Sequence, residues 1–387
     1  MHLLATSQDN NTIFAGEGAI SRLNPVLERY KHILVFNDRD GFRPCGAEAY
    51  FTMMEKQLMG HTSFHLISYA GKALPIEDIE EKYKESKPVK DVDLIIGVGG
   101  GTVIDLAKII SIGLSNGFEK AELVLTHKDA ANKIPLIFIP TTAGTGSEAT
   151  SFAVVYKEKI KYSIDHKTLI PTYTVLDPLL LLSLPEPILN STILDALAQA
   201  IESFWAAGGT EESREYSKQA IKLILHYLDK NHPSSIERLT HLQWASHWAG
   251  KAINISRTTL PHSISYPITA HFGVPHGIAV FLTLPSVAKL NYSTTNETCR
   301  PGITVDFISN TFSSLFSLFE VNTIEELVEK LEAIMVRLGF KTHLRNFKIK
   351  KKDLPFIAAN ALTKGRSDNN PRKIDQETVL QLLTVIF

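Results

Sequence analysis

Apolar positions fall into two textures along the chain. In the first half, short and almost unbroken apolar runs alternate with segments of helical spacing. "KHILVFN" (31–37), "DLIIGVGGG" (93–101) and "IPLIFIP" (134–140) have the length and β-branched content of strands buried on both faces. Between the last two lies "TVIDLAKIISIGL", where Val103, Ala107, Ile110 and Leu114 recur on one side of a helix. Strands alternating with helices predict a parallel α/β sheet. Near "DPLLLLSLPEP" (177–187) the texture changes. "SREYSKQAIKLILHYL", "SIERLTHLQWASHWAGKA" and "TIEELVEKLEAIMVRLGF" space apolar residues by three and four, and strand signals almost vanish. The expectation is an α/β domain over residues 1–185 and a helical domain over 186–387. No internal repeat or low-complexity linker separates them, so the boundary is expected to be packed.

Composition narrows the function classes. A chain of 387 residues, 44% hydrophobic, can bury a large core, and 40 Lys and Arg against 41 Asp and Glu leave a net charge of −1. That balance argues against nucleic acid or an anionic membrane as the main partner. Cys45 and Cys299 are too few for a disulfide framework and read as reduced thiols. "MHLLATSQDNNTIF" carries no basic patch followed by an apolar stretch, and "GIAVFLTLPSVA" is too short to span a bilayer. A cytoplasmic globular protein is expected.

The first candidate chemistry is a glycine turn. In "GVGGGTVIDLAK" a strand ends and a helix begins, so Gly99, Gly100 and Gly101 allow close backbone approach, and the N–H groups from Thr102 face outward at the positive end of the helix. That suits a pyrophosphate, although the spacing is neither G-x-G-x-x-G nor a P-loop, and packing alone would also explain three glycines. A second loop, "TTAGTGSEAT" (141–150), follows the next strand with hydroxyls at Thr141, Thr142, Thr145 and Ser147. Two such loops at strand carboxyl ends converge where open α/β sheets bind nucleotides. Asp38, at the end of its own strand, favours NAD over NADP by accepting from a ribose; Arg39 beside it would instead welcome a 2′-phosphate.

The second lies in the helical half. Asp195 and Gln199 in "DALAQAIE" are one turn apart on one helix face. Far downstream, "PHSISYPITAHFGVPHGIAVFLTLP" (261–285) holds His262, His271 and His276, with proline and glycine breaks that can turn His262 and His276 toward one point. Asp195, Gln199, His262 and His276 together form an O,O,N,N set able to hold Fe²⁺, Zn²⁺ or Mn²⁺. Gln199 would serve equally well as a hydrogen bonder on the helix surface.

The order and spacing of "GGGTVIDLAK", "PTTAGTGSEAT", "KYSI", "VLDP", "DALAQAIE" and the two histidines 14 residues apart with "GVPHG" resemble the iron-containing (group III) alcohol dehydrogenases over almost the whole chain. The resemblance implies an N-terminal dinucleotide-binding domain, a helical C-terminal domain, and a cleft between them for NAD(H) or NADP(H) and a metal. It puts Lys161 of "KYSI" on the nicotinamide ribose. It implies metal ligands at Asp195, Gln199, His262 and His276, with Gln199 where the family has histidine. The amide oxygen is a weaker, harder donor, so metal affinity falls or metal choice shifts. Tyr266 occupies a position where many members carry a proton-relaying histidine; either His271, nearby in sequence, substitutes for it or the relay runs through the cofactor ribose and water. A homodimer is the expected assembly.

Within the family, "RTTLPHSISYPITAHFGVPHG" and "NNPRKI" look most like the branch that reduces phosphonoacetaldehyde or sulfoacetaldehyde. Arg257, Thr258 and Thr259 precede His262 and are expected to line the pocket. Arginine matches phosphonate or sulfonate oxygens in a bidentate manner. Lys364, Arg366 and Arg372 are further candidates for the anion, while a reductase of simple alkanals could carry the same residues as solvated charges. Three activities remain open at this point: aldehyde reduction with the metal as Lewis acid, a lyase of the dehydroquinate-synthase kind, and a nucleotide-binding protein weakened in catalysis by Gln199.

Overall fold

A computed structural model describes residues 11–71, 73–158, 160–228 and 235–387. The N-terminal stretch searched for a secretory signal lies, up to residue 10, outside the described residues. Contacts divide the chain into two compact units, Met1–Pro185 with Lys230–His247, and Glu186–Asp229 with Trp248–Phe387.

The first unit is built on a six-stranded, wholly parallel sheet. Its strands are β1 (Thr12–Ala15), β2 (His32–Asp38), β3 (Ser63–Tyr69), β4 (Leu94–Gly99), β5 (Leu136–Pro140) and β8 (Tyr173–Leu176), in the order β1-β8-β5-β4-β2-β3. A separate antiparallel hairpin joins β6 (Phe152–Lys157) to β7 (Ile160–Asp165). Every residue of β4 and β5 is buried, as expected of central parallel strands covered on both faces. Helices α1 (Asn24–Leu27), α2 (Ala47–Gln57), α3 (Ile76–Ser86) and α4 (Gly101–Ser115) belong to this unit. In α4, Val103, Ala107 and Ile110 enter the core with Leu34, Phe36, Ile95 and Phe138, and Leu114 packs against it.

The strand order fixes where a ligand can sit. The chain goes outward from β2 to β3, then returns to lay β4 on the other side of β2. Connections therefore leave β2 and β4 in opposite directions, and their carboxyl ends flank a crevice. Those ends are Asp38 and Gly99.

The second unit is helical, and no strand follows β8 among the described residues, so the predicted fold class holds. Its helices are α5 (Glu186–Trp205), α6 (Glu211–Leu228), the last turns of α7 (Ser235–Ser256), α8 (Leu260–Phe272), α9 (His276–Phe281), α10 (Leu284–Tyr292), α11 (Val305–Phe319), α12 (Ile324–Arg337), α13 (Leu354–Asn360) and α14 (Gln376–Val385). The central one is α5, in which all residues from Ile193 to Trp205 are buried. A helix buried on every side must give its polar residues partners. Between Ile193 and Trp205 those residues are Asp195, Gln199, Glu202 and Ser203. Cys45 and Cys299 are both free. No described helix is long and apolar enough to cross a membrane.

Candidate active site

In the first unit the two glycine-containing loops meet. Thr141 N–H donates to the Gly99 carbonyl at 3.1 Å. A Cβ on Gly101 would lie 2.7 Å from Thr145 Oγ1, and one on Gly100 would lie 3.3 Å from Thr142 Cγ2. A Cβ on Gly99 would stand 2.9 Å from Val103 and 3.3 Å from Asp38 Cβ. Gly101 is thus required by contact between the loops and Gly99 by contact with Val103, and these approaches bring Asp38, Gly99, Gly100, Gly101, Thr102, Thr141, Thr142 and Thr145 into one region at the start of α4. There the free N–H groups and the helix dipole favour an anion. Asp38 uses Oδ1 to accept from the N–H groups of Asp40 and Gly41, at 3.0 and 3.1 Å, while Arg39 pairs with Asp40 on the surface.

Beneath the loops is a buried polar node absent from the sequence reading. Lys108, with no exposed surface, donates to the Ser147 carbonyl (2.7 Å), Thr150 Oγ1 (3.0 Å) and the Phe152 carbonyl (2.9 Å). Asp105, one turn earlier, accepts from Ser147 Oγ (2.6 Å) and Val154 N–H (2.9 Å). Ser147 is thereby committed to holding the loop rather than to facing a ligand. Burial lowers the Lys108 ammonium to about 8 and pushes the Asp105 carboxyl up, against the pull of Lys108, Ser147, Val154 and Lys161. Lys161 lies on β7, paired with Tyr156 of β6. The invitation was present in "IDLAK", whose Asp and Lys are three apart on a helix.

In the second unit, Asp195, His262 and His276 bring one ligand atom each to within 4.8 Å of one another. His262 Nε2 lies 3.4 Å and His276 Nε2 3.9 Å from Asp195 Oδ1. The two imidazoles stand 5.4 Å apart at 73°. Gln199, also buried, sits one turn along α5 from Asp195. The fold makes this convergence by close approach at Gly277. A Cβ there would fall 2.0 Å from the Ser191 carbonyl oxygen and 3.1 Å from Asp195 Cβ, so only glycine lets α9 deliver His276 to α5. One carboxylate and two imidazoles, with an amide oxygen on the adjacent turn, are a donor set that fits a divalent cation.

His262 faces a carboxylate on each ring nitrogen, because its Nδ1 bonds Glu202 Oε2. Burial alone would lower this imidazole, yet Glu202 and Asp195 together raise it to about 10. Sequence reading passed over Glu202, although at i+7 from Asp195 it shares the same helix face.

The remaining candidates separate. Tyr266 is buried, with its ring nearly parallel to His276 at 14° and 6.3 Å. His271 is exposed at the end of α8, against Phe356. Nine residues from His262 is two and a half helical turns, which turns it to the opposite side. Thr259 commits its N–H and hydroxyl to Glu202, and Thr258 is buried. Arg257 is half-buried with φ of 62°, and Asn369 Nδ2 grips the carbonyls on either side of it, Ser256 at 2.7 Å and Thr258 at 3.0 Å. Arg372 is held by the Leu290 and Ser293 carbonyls, and Lys364 is exposed.

The model for iron-containing alcohol dehydrogenase matches residues 10–178, and that for the Fe-containing alcohol dehydrogenase family, C-terminal, matches 190–387. This chain belongs to the iron-containing alcohol dehydrogenase family. It is an NAD(P)-dependent enzyme that interconverts alcohols and aldehydes with a divalent metal, which decides against the lyase. It is 31% identical over 303 residues to a phosphonoacetaldehyde reductase of Streptomyces viridochromogenes, covering 75% of each chain. To an NAD-dependent methanol dehydrogenase of Bacillus methanolicus it is 28% identical, over 76% of this chain and 77% of that one. Its fold matches the NAD+ complex of a sulfoacetaldehyde reductase from Bifidobacterium kashiwanohense, with TM-score 0.82, 23% identity and coverage of 100% and 99%.

Proposed function

We propose that the chain uses NAD(P)H to reduce a small anionic aldehyde, phosphonoacetaldehyde or sulfoacetaldehyde, to its alcohol. The observation that carries the reaction type is the convergence of Asp195, His262 and His276 around Gly277. A divalent ion held by these residues and Gln199 would supply Lewis acidity toward a carbonyl oxygen that gains negative charge as hydride arrives. Asp195 contributes the formal negative charge of the set, and the buried His262 imidazole, bonded to Glu202, keeps a fixed direction. The N–H groups from Thr102 and the loop containing Thr141, Thr142 and Thr145 bind the cofactor pyrophosphate; Asp38 accepts from its adenosine ribose, and Lys161 touches the nicotinamide ribose. Tyr266, stacked on His276, presents the hydroxyl from which the product oxygen takes its proton.

The anionic substrate is supported by Arg257. A non-glycine residue in the left-handed region carries a cost of about 1–3 kcal/mol and persists where surrounding contacts enforce it, as the Asn369 clamp does here. The phosphonoacetaldehyde reductase relative supports the same reading. A general alcohol dehydrogenase is the second reading, favoured by the similarity to methanol and 1,3-propanediol dehydrogenases. Following NADH oxidation with phosphonoacetaldehyde, sulfoacetaldehyde, acetaldehyde and 3-hydroxypropanal separates them. The anionic reading requires kcat/KM for an anionic aldehyde to exceed that for acetaldehyde, and to collapse toward it in Arg257→Ala. Equal kcat/KM across the panel would refute it.

A further inference from the structure

We propose that Glu202 is a positioning residue of the metal centre, setting the tautomer and direction of His262 and thereby the affinity for a divalent ion. The inference rests on the reading that Asp195, Gln199, His262 and His276 bind that ion. Glu202 has no exposed surface, and both of its oxygens are engaged. Oε1 accepts from Thr259 N–H and Thr259 Oγ1, each at 2.9 Å, and from His262 N–H at 3.3 Å. Trp205 Nε1 donates in turn to Thr259 Oγ1 at 2.9 Å. Oε2 faces His262 Nδ1 alone among the hydrogen bonds described for it.

The two oxygens therefore do different things. Oε1 caps the amino end of α8, satisfying donors that a helix start leaves unpaired. Oε2 accepts the Nδ1 proton, so the nitrogen left for an ion, once that ion displaces its proton, is Nε2, which faces the Asp195 and His276 ligand atoms. A carboxylate so placed also fixes the direction of the imidazole ring and adds a second negative charge near the ion. Both effects offset the weak donor Gln199, which stands where a stronger imidazole ligand is usual.

Glu202→Gln distinguishes positioning from capping. The amide oxygen can still accept at the start of α8, but its NH2 group then meets Nδ1 and forces the proton onto Nε2, where it blocks coordination. Chelator-competed Zn²⁺ titration should show Kd weakened by roughly 10–100-fold, and the visible spectrum of the Co²⁺-loaded protein should shift. The thermal midpoint of the chelated protein and its affinity for NAD(H) should stay close to wild type. Thr259→Val, which removes a donor from Oε1 and the acceptor of Trp205 Nε1 but leaves Oε2 untouched, should lower the midpoint with a much smaller effect on Zn²⁺ Kd. Unchanged Zn²⁺ Kd and Co²⁺ spectrum in Glu202→Gln would overturn the proposal while leaving the metal site standing. A wild type that binds neither ion would overturn the metal reading itself. Should Glu202→Gln not fold, 15N-histidine NMR of the Zn²⁺-loaded wild type gives the answer: protonated Nδ1 on His262 upholds the proposal, and protonated Nε2 refutes it.

Discussion

Gly277→Ala is the smallest change that should dismantle the metal centre. Helix propensity by itself favours alanine, by about 1 kcal/mol. Against this, the new Cβ would stand 2.0 Å from the Ser191 carbonyl oxygen and 3.0 Å from its carbon, whereas ordinary C···O contacts begin near ~3.3 Å. Relief requires α9 to retreat from α5 by roughly 1 Å, at an overpacking cost of about 1–3 kcal/mol. His276 is the neighbouring residue and moves with it. Metal–ligand distances tolerate only about 0.2 Å, so the displacement should remove His276 from coordination. The expected result is a Zn²⁺ Kd weakened by at least the roughly 10–100-fold that loss of a mere outer partner produces. The thermal midpoint should fall by no more than about 2–6 °C, and NAD(H) affinity should persist. Zn²⁺ titration beside thermal unfolding and cofactor fluorescence makes the test. Wild-type Zn²⁺ affinity in Gly277→Ala would refute the reasoning.

On the cofactor side, Gly101→Val should raise the NAD(H) dissociation constant at least ~10-fold by driving the two loops apart, read by fluorescence titration. Lys108 gives a pH dependence. Its folded value, about 8, is below the ordinary 10.5, so above pH 8 the unfolded chain holds more protons and this group adds stability as pH rises toward 10.5. The neutral amine, however, keeps only two donors for its loop acceptors, so NAD(H) affinity should decline as pH rises through about 8, and Lys108→Arg should flatten that decline. Asp38→Gly should improve NADP(H) relative to NAD(H), measured as the ratio of kcat/KM values; an unchanged ratio would remove Asp38 from ribose recognition.

What could be read from sequence follows from how each feature is encoded. β2, β4 and β5 were legible because buried parallel strands are apolar throughout, and α6, α7 and α12 because their apolar stripes repeat every three or four residues. The β6–β7 hairpin was not, since its burial is partial and irregular. The grouping of Lys230–His247 with the first unit left no trace in a helical pattern that runs on without change. Asp195, His262 and His276 are brought together as anticipated, but His271 shows the limit of nearness in sequence, because helical phase decides which side a residue faces. Glu202 and Lys108 were visible as letters, and Thr259 was expected to line the substrate pocket, whereas its N–H and hydroxyl go to Glu202. Their roles are to hold other residues, which periodicity does not announce.

The central claim is that Asp195, Gln199, His262 and His276 bind one divalent ion on which aldehyde reduction depends. The direct measurement is to chelate the wild type and His276→Ala exhaustively, then titrate each with Fe²⁺ under anaerobic conditions while following aldehyde-dependent NADH oxidation and bound metal together. The account predicts that wild-type activity is lost on chelation and returns in step with one ion per chain, and that His276→Ala recovers neither metal nor activity. Full reductase activity in chelated His276→Ala would contradict it.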